Sequence, residues 1–134
     1  MPFPVPLAKI AETEAALGVT FPAIFKARMS KQNGGEVYLG DDEDPWFLHP
    51  FFDTTDRKTL ARSASDIRRE TERARTWPGF PADGVVIAHD GSGDQLVLRP
   101  SVAGELGRDV WLFQHAGGEL AKVLDDVAEL WDSR

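Results

Sequence analysis

Apolar positions along the chain change period several times, and each change marks an element. Leu7, Ile10, Ala11, Glu14 and Leu17 lie at helical spacing, with Gly18 placed as a left-handed stop. Thr20 is placed as the cap of a second helix and Pro22 in its first turn. Phe21, Ile24, Phe25 and Met29 give that helix one apolar stripe, and Asn33-Gly34-Gly35 ends it by accepting positive φ cheaply. Glu36 to Leu39 alternates as a short strand. An acidic turn, Gly40 to Pro45, leads into an apolar strand, Trp46-Phe47-Leu48, which Pro50 stops.

The middle is different. Asp53 to Thr76 is polar, and Leu60, Ala64, Ile67, Thr71 and Ala74 make only a thin helical stripe. A surface helix is expected over Ser65–Arg75. Trp77 to Pro81 reads as a stiff turn and Val85 to Ala88 as a central strand. Asp90-Gly91-Ser92-Gly93-Asp94 reads as a hairpin turn, with Gln95 to Leu98 as the returning strand. Pro100 to Asp109 is expected to be a loop and Val110 to Phe113 a strand. Leu120, Val123, Leu124, Val127, Leu130 and Trp131 have the spacing of a terminal helix with a clear core face.

This order, without regular βα alternation, predicts an α+β fold: a mostly antiparallel β-sheet with N-terminal, middle and C-terminal helices packed against it. No internal repeat or linker interrupts it. One domain over 1–134, with its core at about 7–130, is the expectation. A chain of 134 residues with 42% hydrophobic residues, four Trp and eight Phe has enough apolar surface for one core.

Charge alters the functional reading more than the fold. The net charge is −7. Arg57 to Arg75 holds seven Arg or Lys and three Asp or Glu, a local net of +4, so the remainder carries −11. An acidic domain repels phosphate backbones, so a protein partner is expected and direct nucleic-acid binding is not. No apolar stretch approaches the roughly 20 residues needed to span a bilayer, so no membrane role is expected. Met1 to Pro6 lacks the basic and apolar regions of a secretion signal. With no cysteine, a cytoplasmic location is the expectation.

Tests for catalytic chemistry fail one by one. The Asp90–Asp94 turn has oxygen ligands at calcium-loop spacing, but Gln95 replaces the sharp-turn glycine and Ser101 the bidentate glutamate. Its glycines lack the Lys-Ser/Thr of a phosphate cradle. His49, His89 and His115 form no HxH or HxxxH pair. His89 and Asp90 are strand neighbours and point to opposite faces. No G-x-S-x-G elbow surrounds Ser92. Neither a catalytic residue nor a metal or cofactor is therefore expected. The contact candidates are Asp41, Asp42, Glu43 and Asp44 with Trp46 as an aromatic anchor, and Asp90 and Asp94. Asn33, Gly34, Gly35, Gly91 and Gly93 are assigned to backbone geometry.

Several local features recur in one order: Leu17-Gly18-Val19-Thr20-Phe21-Pro22, Phe25, Asn33-Gly34-Gly35, Trp46-Phe47-Leu48, Ile87 through Asp94, Val110 through His115, and a last element over Ala121 to Leu130. In this order the chain resembles the SUKH superfamily, in the branch of the yeast cell-wall assembly regulator, from about Leu7 to Leu130. Ala116 departs from the pattern, since the family often has an acidic residue after the histidine. The arginine-rich middle matches no part of it. The resemblance implies an α+β domain without catalytic residues. It implies a binding role, which in many bacterial members is that of an immunity protein that neutralises a polymorphic toxin, often a nuclease or deaminase. Taken with the acidic excess of the chain, it suggests a basic toxin domain as the partner. A regulatory or scaffolding protein is the alternative, followed by a small-ligand sensor or enzyme.

Overall fold

The computed structural model describes residues 3–132. Helix α1, Leu7–Leu17, and helix α2, Ala23–Lys31, lead into strands β1, Gly35–Val37, and β2, Trp46–Leu48. Helices α3, Arg57–Arg62, and α4, Ile67–Ala74, follow. Strands β3, Val85–His89, and β4, Gln95–Leu98, form a hairpin. Strands β5, Pro100–Val102, and β6, Glu105–Leu106, form a second, smaller one. Strand β7, Val110–Gln114, strand β8, Glu119–Leu124, and the short helix α5, Glu129–Asp132, complete the order. The main sheet has six antiparallel strands in the order β1-β2-β3-β4-β7-β8. The architecture is α+β, as the element order predicts.

Four expectations are corrected. The helical spacing of Leu120, Val123 and Leu124 belongs to a strand: Glu119–Leu124 pairs along β7, and helix begins only at Glu129. Pro100 to Leu106 is a bulged hairpin and not a plain loop. Thr20 does not cap α2, which starts after Pro22 with no side-chain cap. The Thr20 N–H instead donates to the Gly104 carbonyl and its carbonyl accepts from the Leu106 N–H, which ties the small hairpin to the α1–α2 corner. The polar middle holds two helices. Asp56 caps α3 by accepting from the Lys58 and Thr59 N–H groups, and Asp66 caps α4 by accepting from the Arg69 N–H. Within the expected stripe, Ile67, Thr71 and Ala74 are buried, whereas Leu60 is exposed.

Phe21, Phe25 and Phe51 sit at the centre of the main core. Phe21 stacks on Phe25 at 5.3 Å, and Phe51 meets Phe21 edge-on at 5.2 Å. Each such ring contributes roughly 1.5–3 kcal/mol by leaving water. Trp46, Leu48, Ile87, Leu96 and Leu98 join this core from the sheet. A second cluster, Val86, Val97, Phe113, Phe80 and Ala74, is flanked by Trp77, Trp111 and Leu120.

Asn33 carries a role beyond backbone geometry. No residue other than glycine has positive φ among the described residues, so Gly34 (φ 121°) and Gly35 (φ 98°) make the turn. Asn33 uses its side chain: Nδ2 donates to the Phe51 carbonyl at 2.8 Å and Oδ1 accepts from the Phe51 N–H at 2.7 Å. This amide pairs with Phe51 as a neighbouring strand would.

Candidate binding surface

Strand register decides which turns share an end of the sheet. Val37 pairs with Trp46, so the acidic loop lies at the end where β2 begins. Phe47 pairs with His89, and His89 with Gln95, which brings the Asp90–Asp94 turn to that end. Gln95 pairs with Phe113, and Gln114 with Glu119, so His115 to Gly118 joins them. Asp41, Asp42, Glu43, Asp44, Asp90, Asp94 and Glu119 therefore gather at one end of one sheet. Residues 41–44 and Glu119 are exposed.

Trp46 does not serve this surface. Alternation along β2 turns it into the core, where it is 7% exposed, and turns Phe47 outward at 38%. Phe47 is thus the aromatic ring beside the acidic loop. The sequence signal for this exchange was present in the alternation of Trp46, Phe47 and Leu48. Which face is buried depends on the helices that cover it.

The two carboxylates of the hairpin turn are tied internally through different partners. Asp90 Oδ1 accepts from the Ser92 N–H at 2.9 Å and from the Ser92 hydroxyl at 2.7 Å. Asp94 Oδ1 accepts from the His115 N–H at 3.2 Å and from the His115 ring Nδ1–H at 2.8 Å. The second pair couples the β3–β4 turn to the β7–β8 turn. Gly91 (φ 90°) and Gly93 (φ 111°) carry the backbone reversal, and a Cβ on Gly93 would meet the His115 ring at 3.1 Å. His89 and Asp90 form no pair, as strand geometry predicts. His89 Nδ1 accepts from the Gly91 N–H, and its ring lies between Phe47 and His49, at 5.6 and 5.1 Å.

Beside these rings lies a cleft of about 380 Å³, lined by His49, Glu70, Arg73, Trp77, His89 and Gln95 among others. His49 and Gln95 are buried and meet at 2.8 Å, His49 Nε2 to Gln95 Oε1. The amide oxygen only accepts, which makes Nε2 the protonated nitrogen. Burial of the imidazole is the main cause that lowers the His49 pKa from 6.5 to about 4, against the raising effect of Gln95. At neutral pH this histidine is an uncharged structural residue. Sequence reasoning did not single out Phe47, Gln95 or the His49–Gln95 pair, because residues 46 positions apart meet only through strand pairing.

A family model described as SMI1 / KNR4 family (SUKH-1) matches residues 4–133, nearly the whole chain. The chain belongs to this family. No curated protein and no solved structure matches it. The six-stranded antiparallel sheet with its helices is thus the SUKH-1 fold of this chain. The residues that carried the resemblance have concrete places in it. Asn33-Gly34-Gly35 joins α2 to β1 and holds Phe51, and Asp90 to Asp94 is the β3–β4 turn coupled to His115.

Proposed function

We propose that this SUKH-1 chain is a non-catalytic immunity protein, which binds and neutralises a basic toxin domain in the cytoplasm. The observation that carries this reading is the gathering, at one end of the sheet, of the carboxylates of two turns and of Glu119 at the start of β8. Asp41 to Asp44 are exposed there, with Phe47 beside them. A concentrated negative surface raises the encounter rate with a basic partner and disfavours neutral or acidic ones. Phe47 supplies apolar contact area at the rim of that charge. Family membership supports a binding role as well. The histidines fit it too: His49 is bonded to Gln95, His115 to Asp94, and His89 lies between the Phe47 and His49 rings.

The test is co-expression and pull-down with the product of the neighbouring gene. Neutralisation predicts a stable complex and relief of toxicity. A toxic neighbour that neither binds nor is relieved would sink the immunity reading. A bound neighbour without toxicity would leave a regulatory or scaffolding role in its place.

A further inference from the structure

The two edges of the main sheet are unequal. The β1 edge has three residues and leads into a turn held by α5, where the Tyr38 N–H donates to the Leu130 carbonyl. The β8 edge has six residues, Glu119–Leu124, the longest strand in the sheet. Among the described residues, the backbone groups of Glu119–Leu124 that face away from β7 meet no hydrogen-bond partner. No residue of β8 is buried. The strand contains no proline or glycine, and its one bulge, at Val123 near its end, leaves Glu119 to Lys122 in unbroken register with β7. Folded proteins ordinarily shorten, cover or bend such an edge, because its free N–H and C=O groups template another strand.

The side chains of β8 continue both faces of the sheet. Leu120 packs with Trp111 and Phe113 on one cluster, and Val123 and Leu124 pack against the main core, all partly exposed. A further strand would complete both faces. Charge selects the strand. Glu119 opens β8 from the acidic end of the sheet, and Asp125 follows its close. Asp109 precedes Val110, the partner of Leu124. Lys122 is the only cation of the strand, and its Nζ is already held by Asp125 at 3.0 Å. A second copy fits poorly, since each chain carries a net charge of −7 and two copies repel.

We infer that β8 is a docking edge that receives an extended lysine- or arginine-bearing segment of the partner protein as a seventh strand. Main-chain hydrogen bonds then provide affinity over about 20 Å, and the flanking carboxylates select for positive charge. This inference rests on the basic-partner reading above and extends that surface along one edge.

The test uses the full chain, isotope-labelled for amide NMR, and two synthetic nine-residue peptides that alternate lysine and valine. One is unmodified. The other is N-methylated at every residue, with the same charge and no backbone donors. Docking predicts that the unmodified peptide shifts the amides of 119–124 and binds at least about tenfold tighter than the methylated one. Equal affinity, with shifts confined to 40–45 and 90–94, overturns the edge and leaves the electrostatic surface standing. A combined Asp41→Asn, Asp42→Asn, Glu43→Gln, Asp44→Asn variant separates the two ideas. If it binds the unmodified peptide as tightly as the parent does, with shifts still at 119–124, the acidic loop fails and the edge stands. Sedimentation of the protein alone, if it revealed a dimer that protects the amides of 119–124, would overturn the proposal in favour of a second copy.

Discussion

His49 Nε2 lies 2.8 Å from Gln95 Oε1, and the two residues, one just after β2 and the other at the start of β4, are both almost wholly buried. This contact ties β2 to β4 across the intervening strand and holds an imidazole where water cannot solvate its charge. Its consequence is a pH dependence. The folded pKa, about 4, is below the unfolded value of 6.5. Between those values the unfolded chain binds a proton that the folded chain does not, so stability falls as pH falls from 6.5 and the loss is complete near 4. The full loss is about 3 kcal/mol. Urea unfolding at a series of pH values measures it. The His49→Asn variant, with no group to titrate, should have a flatter profile over this window. Equal slopes in the two proteins would remove His49 as the cause.

Asn33 substitutes for a strand at Phe51, and its loss leaves a backbone N–H and C=O in a partly buried place without partners. Asn33→Ala should destabilise the fold by about 2 kcal/mol. Asn33→Asp should also destabilise it, since the carboxylate keeps the acceptor and loses the donor. Thermal unfolding of both variants decides this. An unchanged melting temperature in Asn33→Ala would mean that Phe51 finds water instead.

Gly79 and Gly118 approach each other backbone to backbone. A Cβ on Gly79 would sit 2.5 Å from the Gly118 carbonyl oxygen, at a φ of 82°. Gly79→Ala should therefore cost about 2 kcal/mol or more, by pushing the Trp77–Pro81 turn off the β7–β8 turn. Gly91 has φ 90° with open space around its Cβ position, so Gly91→Ala should cost only about 1 kcal/mol. Chemical denaturation of the pair compares crowding with backbone strain directly. The order of the two losses is the test.

Trp46 and Phe47 separate folding from binding. Trp46→Ala opens a hole in the core and should cost about 3–5 kcal/mol. Phe47→Ala removes a half-exposed ring and should leave unfolding within about 1 kcal/mol of the parent while weakening the partner complex. A Phe47→Ala protein that binds its partner with unchanged affinity would remove this ring from the surface.

Neutralising Asp41 to Asp44 together should lower the association rate with a basic partner by about tenfold at low salt and flatten its salt dependence, with little change in dissociation. Stopped-flow association at several ionic strengths reads both effects. A rate insensitive to salt in the parent would contradict electrostatic steering.

Local rules along the chain determined much of this protein. Alternation and turn chemistry marked β2, β3, β4, β7 and the Asp90–Asp94 hairpin, and the order of elements implied an antiparallel α+β fold. These signals are short-range, so the residues that carry them sit side by side in the sequence. The tertiary structure decided the rest. Leu120, Val123 and Leu124 satisfy a helical period, but β7 supplies a ladder of hydrogen bonds after the Gly117-Gly118 turn, and pairing with it outweighs local spacing. Trp46 and Phe47 are adjacent aromatic residues, and only the position of the core beneath β2 sends one inward and the other to the surface. The acidic end is of the same kind. Its carboxylates come from two turns and from the first residue of β8, spread from Asp41 to Glu119, and only antiparallel register brings them to one end.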